Sequence, residues 1–187
     1  MGSPAEAGAR ALLAGKLVVH PTDTLYALAA RALDRRAVAQ LLATKGRSVG
    51  RPLSVAVSSV EELERWAHLG KAARQFVRDR LPGPYTLLLV PSAEARRRLA
   101  AEVASAPRIG LRVPDHPLAL ELARRAGPLV ATSANRSGGP PARTLAAARR
   151  VFRGAVGAYV TGPPRPRGVP SVLVDLSGPA PRQVPRR

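Results

Sequence analysis

Short apolar runs that close on proline or on a small polar cluster alternate with Ala- and Arg-rich stretches along most of the chain. Strands and helices in such alternation bury their apolar faces in layers, which points to an α/β architecture. The predicted strands are Leu17 to His20 running into Pro21, Leu53 to Val57, Tyr85 to Val90, Ile109 to Val113 before Pro114, Leu129 to Thr132, Ala158 to Thr161 and Val172 to Leu176. Helices are expected over Pro4 to Leu13 with Gly15 as its stop, and from the N-cap Asp34 to the Lys45-Gly46-Arg47 stop. Others are expected from Ser59 to His68 or Leu69, over Ala72 to Arg80, over Glu94 to Val103, over Leu118 to Arg125 with Gly127 as C-cap, and over Leu145 to Phe152. No repeat or low-complexity linker divides the sequence, so residues 1–187 are expected to form one domain without a separate C-terminal one. The expected class is α/β, with a twisted, mixed parallel/antiparallel open sheet flanked by helices.

Composition narrows the chemistry. Without cysteine there is no disulfide framework, thiol nucleophile or thiolate metal site. No apolar run approaches the roughly 20 residues of a membrane span, and no signal-peptide pattern opens the chain, so a cytoplasmic protein without a membrane partner is expected. The formal net charge is +18, and this excess admits two explanations. A positive field attracts phosphates of nucleotides or nucleic acids. Alternatively, 27 Arg against 3 Lys, with abundant Ala, Gly and Pro, reflects GC-rich codons. Aromatics make up 3% of the chain, which argues against base-stacking RNA binders.

Walker A, dinucleotide and nucleophile-elbow motifs are absent, and His20, His68 and His116 lack ligand spacing. Four polar clusters at strand ends remain, where open α/β sheets bind ligands. Pro21-Thr22-Asp23-Thr24-Leu25-Tyr26 holds a small polar substrate or forms a local turn. Lys45-Gly46-Arg47 with Arg51 suits an oligophosphate, a solvated helix C-terminus being the alternative. Thr132 to Gly138 suits a phosphate or sugar, or a plain Asx/Ser turn. Arg112 stands in an otherwise apolar strand, which is costly unless an anion meets it. Together they describe an anion site with cations and hydroxyls and no evident catalytic base.

At these clusters the sequence resembles the YrdC-like family, the threonylcarbamoyl-AMP synthases. The resemblance rests on Pro21 to Tyr26, Lys45-Gly46-Arg47 with Pro52-Leu53, Pro82 to Thr86, Gly110 to Pro117, Ser133 to Gly138, and Ser171-Val172, in family order. It implies a twisted mixed sheet with a concave basic face. It also implies synthesis of threonylcarbamoyl-AMP and pyrophosphate from L-threonine, bicarbonate or CO2, and ATP, for the threonylcarbamoyladenosine modification of tRNA. By position, Lys45, Arg47, Ser133 and Asn135 match the family's ATP tetrad, catalysis resting on Lys45 and Arg47, and Arg51 and Arg186 add phosphate contacts. Thr22, Thr24, Arg112 and Ser171 match the L-threonine side. Mg²⁺ is expected with ATP, no protein side chain ligating it. Further expected partners are tRNA or double-stranded RNA and a downstream threonylcarbamoyl transferase complex.

The sequence departs from the family pattern at Ala27 and Ala29, which replace glycines of Tyr-Gly-Leu-Gly, at Ala56, where many members carry His, and at Val172, which replaces Thr. A paralogue that binds nucleotide or structured RNA, with altered or absent synthase activity, is therefore the alternative. Carbamoyl transfer, as in hydrogenase-maturation relatives, usually needs extra domains.

Overall fold

The computed structural model describes residues 2–46 and 53–185. Its elements run α1 (Pro4–Leu13), β1 (Val18–Pro21), β2 (Tyr26–Arg31), α2 (Arg35–Lys45), β3 (Ser54–Ala56), α3 (Val60–Trp66), β4 (Ala67–His68), α4 (Lys71–Arg80) and β5 (Tyr85–Pro91). They continue with α5 (Ala93–Arg98), α6 (Ala101–Ala104), β6 (Ile109–Arg112), α7 (Pro117–Ala126), β7 (Leu129–Ser133), α8 (Leu145–Phe152), β8 (Ala158–Tyr159), β9 (Val172–Asp175) and β10 (Arg182–Val184). The helix starts follow their caps. Ser3 and Glu6 close a capping box on α1, and Asp34 accepts from Ala37 N–H at the start of α2.

The strand order is β10-β9-β5-β6-β3-β7-β2-β1-β8, with β4 paired outside this path to β5. β1–β8, β3–β6 and β5–β9 are parallel and the other pairs antiparallel, the mixed sheet expected from the sequence.

The registers sort the strand residues onto two faces. Val19, Leu28, Val130, Val55, Leu111, Leu87 and Val174 share one face and form the centre of the larger core. The opposite face carries His20, Ala27 and Ser133 in one row and Ala56 beside Arg112 in another. On that second face α1 and α7 cover Val18, Ala29 and Leu129 with Ala9, Leu12, Leu122, Ala123 and Ala126, Val160 packing in the same cluster. One face is thus predominantly apolar, with Thr132 and the edge residue Gln183 as polar members, while the other is apolar under two helices and polar beyond them.

Several elements differ from the sequence reading. β2 was not expected, because Ala27, Ala29 and Ala30 give no strong apolar signal; pairing on both sides supplies what propensity does not. The helix from Ser59 ends at Trp66, because the chain turns extended at Ala67 to pair with Pro91. The stretch Glu94 to Val103 is two short helices with an extended Leu99 and Ala100 between them, both nearly fully buried. β10 is a short edge strand on β9, its Arg182 and Gln183 exposed, so it lacks an apolar run to announce it.

Gly46 ends α2 in the left-handed conformation, φ 64°, and its N–H bonds to Leu42 and Ala43 carbonyls. A Cβ in that region is strained by roughly 1–2 kcal/mol. Gly46→Ala is expected to lower stability by about 1 kcal/mol, read by denaturant unfolding with an unchanged m-value.

Candidate functional site

Two polar clusters meet at the end of β1, β2 and β7. The first is built on a buried ammonium. Lys45, the last residue of α2 and 3% exposed, donates from Nζ to Ser133 O (2.7 Å), Asn135 O (3.0 Å) and Asn135 Oδ1 (3.1 Å), with Ser133 Oγ at 3.4 Å. Ser133 Oγ also donates to Asn135 Oδ1 at 2.6 Å. The Asn135 amide donates in turn to Arg136 O (2.8 Å) and Gly139 O (2.6 Å). Ser137 N–H returns to Lys45 O at 2.8 Å. This closes a network in which α2 and the loop after β7 fix each other.

The second cluster sits in the turn between β1 and β2. Thr22 Oγ1 donates to Leu25 O at 2.8 Å and accepts from Thr24 and Leu25 N–H, making a tight Thr turn. Thr22 and Thr24 hydroxyls lie 3.0 Å apart. From the end of β6, Arg112 donates to Asp23 Oδ1 (2.6 Å) and Thr24 Oγ1 (3.1 Å). All four residues are buried, with Arg112 only 7% exposed. Tyr26 joins the clusters: it opens β2 directly after the turn, and its carbonyl accepts from Ala134 N–H beside Ser133.

The Pro/Gly/Arg-rich segment 162–170 runs across the second cluster as a strap. Arg167 N–H bonds to Asp23 O, Gly168 N–H to Thr24 O, and His116 Nε2 donates to Pro164 O at 2.9 Å. Past the strap, the Ser171 and Thr86 hydroxyls lie 2.8 Å apart, and Thr86 adjoins Leu87, whose partner Leu111 precedes Arg112.

The sequence-predicted residues therefore separate into two groups. Lys45, Ser133 and Asn135 come together, and so do Thr22, Thr24 and Arg112, with Ser171 reached through Thr86. Arg47, Arg51 and Arg186 lie outside the described residues. The alternative of a solvated helix C-terminus does not hold for Lys45, whose ammonium is turned inward onto the loop. Asp23, which the sequence places in the Pro21 to Tyr26 cluster without a role of its own, faces Arg112. His20 and His116 were not selected as site residues, and neither were the residues of an adjoining cavity other than Tyr26. That cavity, of about 530 Å³, is lined by Tyr26, Arg143, Thr144, Thr161, Pro163 and Arg165 among others. Arg143 of its lining follows Ala142, whose N–H bonds to Ala134 O beside the first cluster. A Pro/Arg-rich loop gives no periodicity by which its side chains can be placed, which hid these residues.

Three of the four family departures find physical explanations, and nothing in the structure explains Ala56. Ala27 and Ala29 lie in extended β2, and among the described residues the single non-glycine at positive φ is Arg153, so neither alanine is strained. Val172 packs against the apolar core, so the hydroxyl missing there is not one of the polar cluster.

His20 is fully buried on the polar face, and its Nδ1–H donates to Pro21 O at 2.9 Å. Burial, with smaller contributions from the charges of His116 and Arg112, pulls its pKa from 6.5 to about 4, so it is neutral near pH 7. A histidine with a depressed folded-state pKa stabilises the fold fully above its unfolded value and loses that stabilisation as pH falls from about 6.5 towards 4. The shift corresponds to roughly 3 kcal/mol at 1.36 kcal/mol per unit. Wild type is expected to lose about that much more stability than His20→Leu between pH 7 and pH 4, read by urea unfolding at each pH. Equal losses would contradict it.

Comparison with known proteins gives one family. Residues 10–187 match the Sua5, YciO and YrdC family model, described as "Telomere recombination". A threonylcarbamoyl-AMP synthase of Cellvibrio japonicus is 35% identical over 164 residues, 87% of this chain and 85% of its own. The crystal structure of P. abyssi Sua5 complexed with L-threonine superposes with a TM-score of 0.87 at 31% identity, over 96% of this chain and 52% of that one. The chain thus spans about half the length of that solved relative. E. coli YciO, with a TM-score of 0.84 at 23% identity and coverage of 97% and 87%, shares the fold.

Proposed function

The chain belongs to the Sua5/YciO/YrdC family, and we propose that it is a threonylcarbamoyl-AMP synthase. It would join L-threonine, bicarbonate or CO2, and ATP into threonylcarbamoyl-adenylate and pyrophosphate, for the threonylcarbamoyladenosine modification of tRNA. The observation that carries this reading is the meeting of two clusters of different chemistry, Lys45-Ser133-Asn135 and Thr22-Thr24-Arg112, joined through Tyr26. A reaction between a nucleotide and an amino acid needs two such neighbouring sites.

The chemistry asks little of side-chain nucleophiles. The L-threonine ammonium gives up two protons to solvent as its nitrogen bonds to the carbon of CO2, leaving an N–H carbamate. A carbamate oxygen attacks the α-phosphorus of ATP, and the bond to the bridging oxygen of pyrophosphate breaks. The protein aligns two anions and offsets their charge. Lys45 turns from the loop oxygens to the phosphates, Ser133 and Asn135 supply hydroxyl and amide contacts, and the cavity beside Tyr26 and Arg143 takes the nucleoside. Arg112 meets the threonine carboxylate, while Thr22, Thr24 and Ser171 offer hydroxyls at the same end. Arg47, Arg51 and Arg186 are assigned to phosphate by the resemblance alone.

Mg²⁺ bound to the triphosphate would supply charge neutralisation there. Among the described residues no three His, Asp or Glu side chains form a metal cluster, and the Ser133 and Asn135 oxygens suit hydrogen bonds to a hydrated ion. The adenylate passes to a threonylcarbamoyl transferase complex acting on tRNA, and exposed arginines such as Arg97 and Arg150 provide salt-sensitive attraction to tRNA or double-stranded RNA. Among the described residues no helix is long and apolar enough to cross a membrane.

Purified protein given ATP, Mg²⁺, bicarbonate and single amino acids is expected to release pyrophosphate with L-threonine and to lose at least about 100-fold of that rate in Lys45→Ala. ATP binding with no threonine-dependent release would contradict the synthase reading. Structured-RNA binding with a steep salt dependence and no nucleotide binding would favour the binding-module paralogue.

A further inference from the structure

Asp23 holds one buried carboxylate oxygen, Oδ1, against Arg112, while Oδ2, also buried, has no hydrogen-bond partner among the described residues. Arg112 and Asp23 side chains are 9% and 2% exposed, so this is an internal ion pair. Its two charges are those of an α-amino acid with the signs exchanged: guanidinium for the substrate carboxylate, carboxylate for the substrate ammonium.

Resting on the reading of this cluster as the L-threonine site, we propose that Asp23 recognises the substrate ammonium and that the incoming zwitterion inserts between Arg112 and Asp23. The insertion adds no net charge to a buried region, and each internal charge exchanges one opposite partner for another. A ligand with only the carboxylate must draw Arg112 from Asp23 and leave a buried anion unpaired. A ligand with only the amine leaves Arg112 in the same position. The ion pair is thus a specificity device: it admits molecules that carry both charges and penalises those that carry one, as sites built around buried polar groups do. Asp23 lies at the right place for this. Its neighbour Thr24 shares the Arg112 guanidinium, and its own carbonyl is held by Arg167 of the strap, which fixes the turn while the side-chain partner changes.

Calorimetric titration of the full chain with L-threonine, with 2,3-dihydroxybutanoate (no amine) and with threoninol (no carboxylate) tests the proposal. Wild type is expected to bind L-threonine at least about tenfold more tightly than either analogue. Asp23→Asn is expected to weaken L-threonine at least about tenfold, so that L-threonine and 2,3-dihydroxybutanoate bind alike, with ATP affinity unchanged. Asp23→Glu restores the preference. Equal weakening of both ligands in Asp23→Asn, or no preference in wild type, overturns the proposal. If Asp23→Asn does not fold, the wild-type and Asp23→Glu comparisons still decide it. If wild type binds none of the three, the assignment of the cluster to L-threonine fails, and the proposal with it.

Discussion

The Lys45 ammonium, held by oxygens of Ser133 and Asn135, is the contact on which the site depends. It fastens the C-terminus of α2 to the loop after β7, two segments 88 residues apart in sequence. A lysine buried to this degree needs its three donors satisfied, and the loop carbonyls and the Asn135 amide supply acceptors for them. The same contacts orient Ser133, and Ala134 N–H bonds to the carbonyl of Tyr26, which lines the cavity. An anion approaching Lys45 therefore finds hydroxyl, amide and cation already in position, and exchanges acceptors without creating an unpaired charge.

The second cluster repeats the device with the opposite balance. Arg112 is neutralised internally by Asp23 and capped by the Thr24 hydroxyl. Both clusters stand on the sheet face that α1 and α7 leave partly uncovered, while the other face is committed to the core. The division follows from the strand registers, since alternation in β2, β7 and β6 sends Leu28, Val130 and Leu111 one way and Ala27, Ser133 and Arg112 the other.

Much of this was legible in the sequence. The ends of α1 and α8 follow their Ser3 and Thr144 caps, and the Ser133 and Arg112 motifs mark the strand ends correctly because proline, glycine and small polar residues punctuate them. Less was legible where tertiary pairing outweighs local preference. Ala-rich β2 is a strand because β1 and β7 flank it, and Trp66 ends a helix because Ala67 pairs with β5. Asp23 was legible as the carboxylate of the Pro21 to Tyr26 cluster, but its pairing with Arg112 was not, because that partner lies 89 residues away on β6. Of the +18 charge, Lys45 and Arg112 have internal partners near the site, and Arg143 and Arg165 line the cavity.

The central claim is that the two clusters act on one reaction at the α-phosphate of ATP. Exchange of labelled pyrophosphate into ATP measures the reversal of that step directly. The account predicts exchange when L-threonine and bicarbonate are both present and none when either is left out. Exchange that ignores L-threonine, or no exchange under any combination, would contradict it.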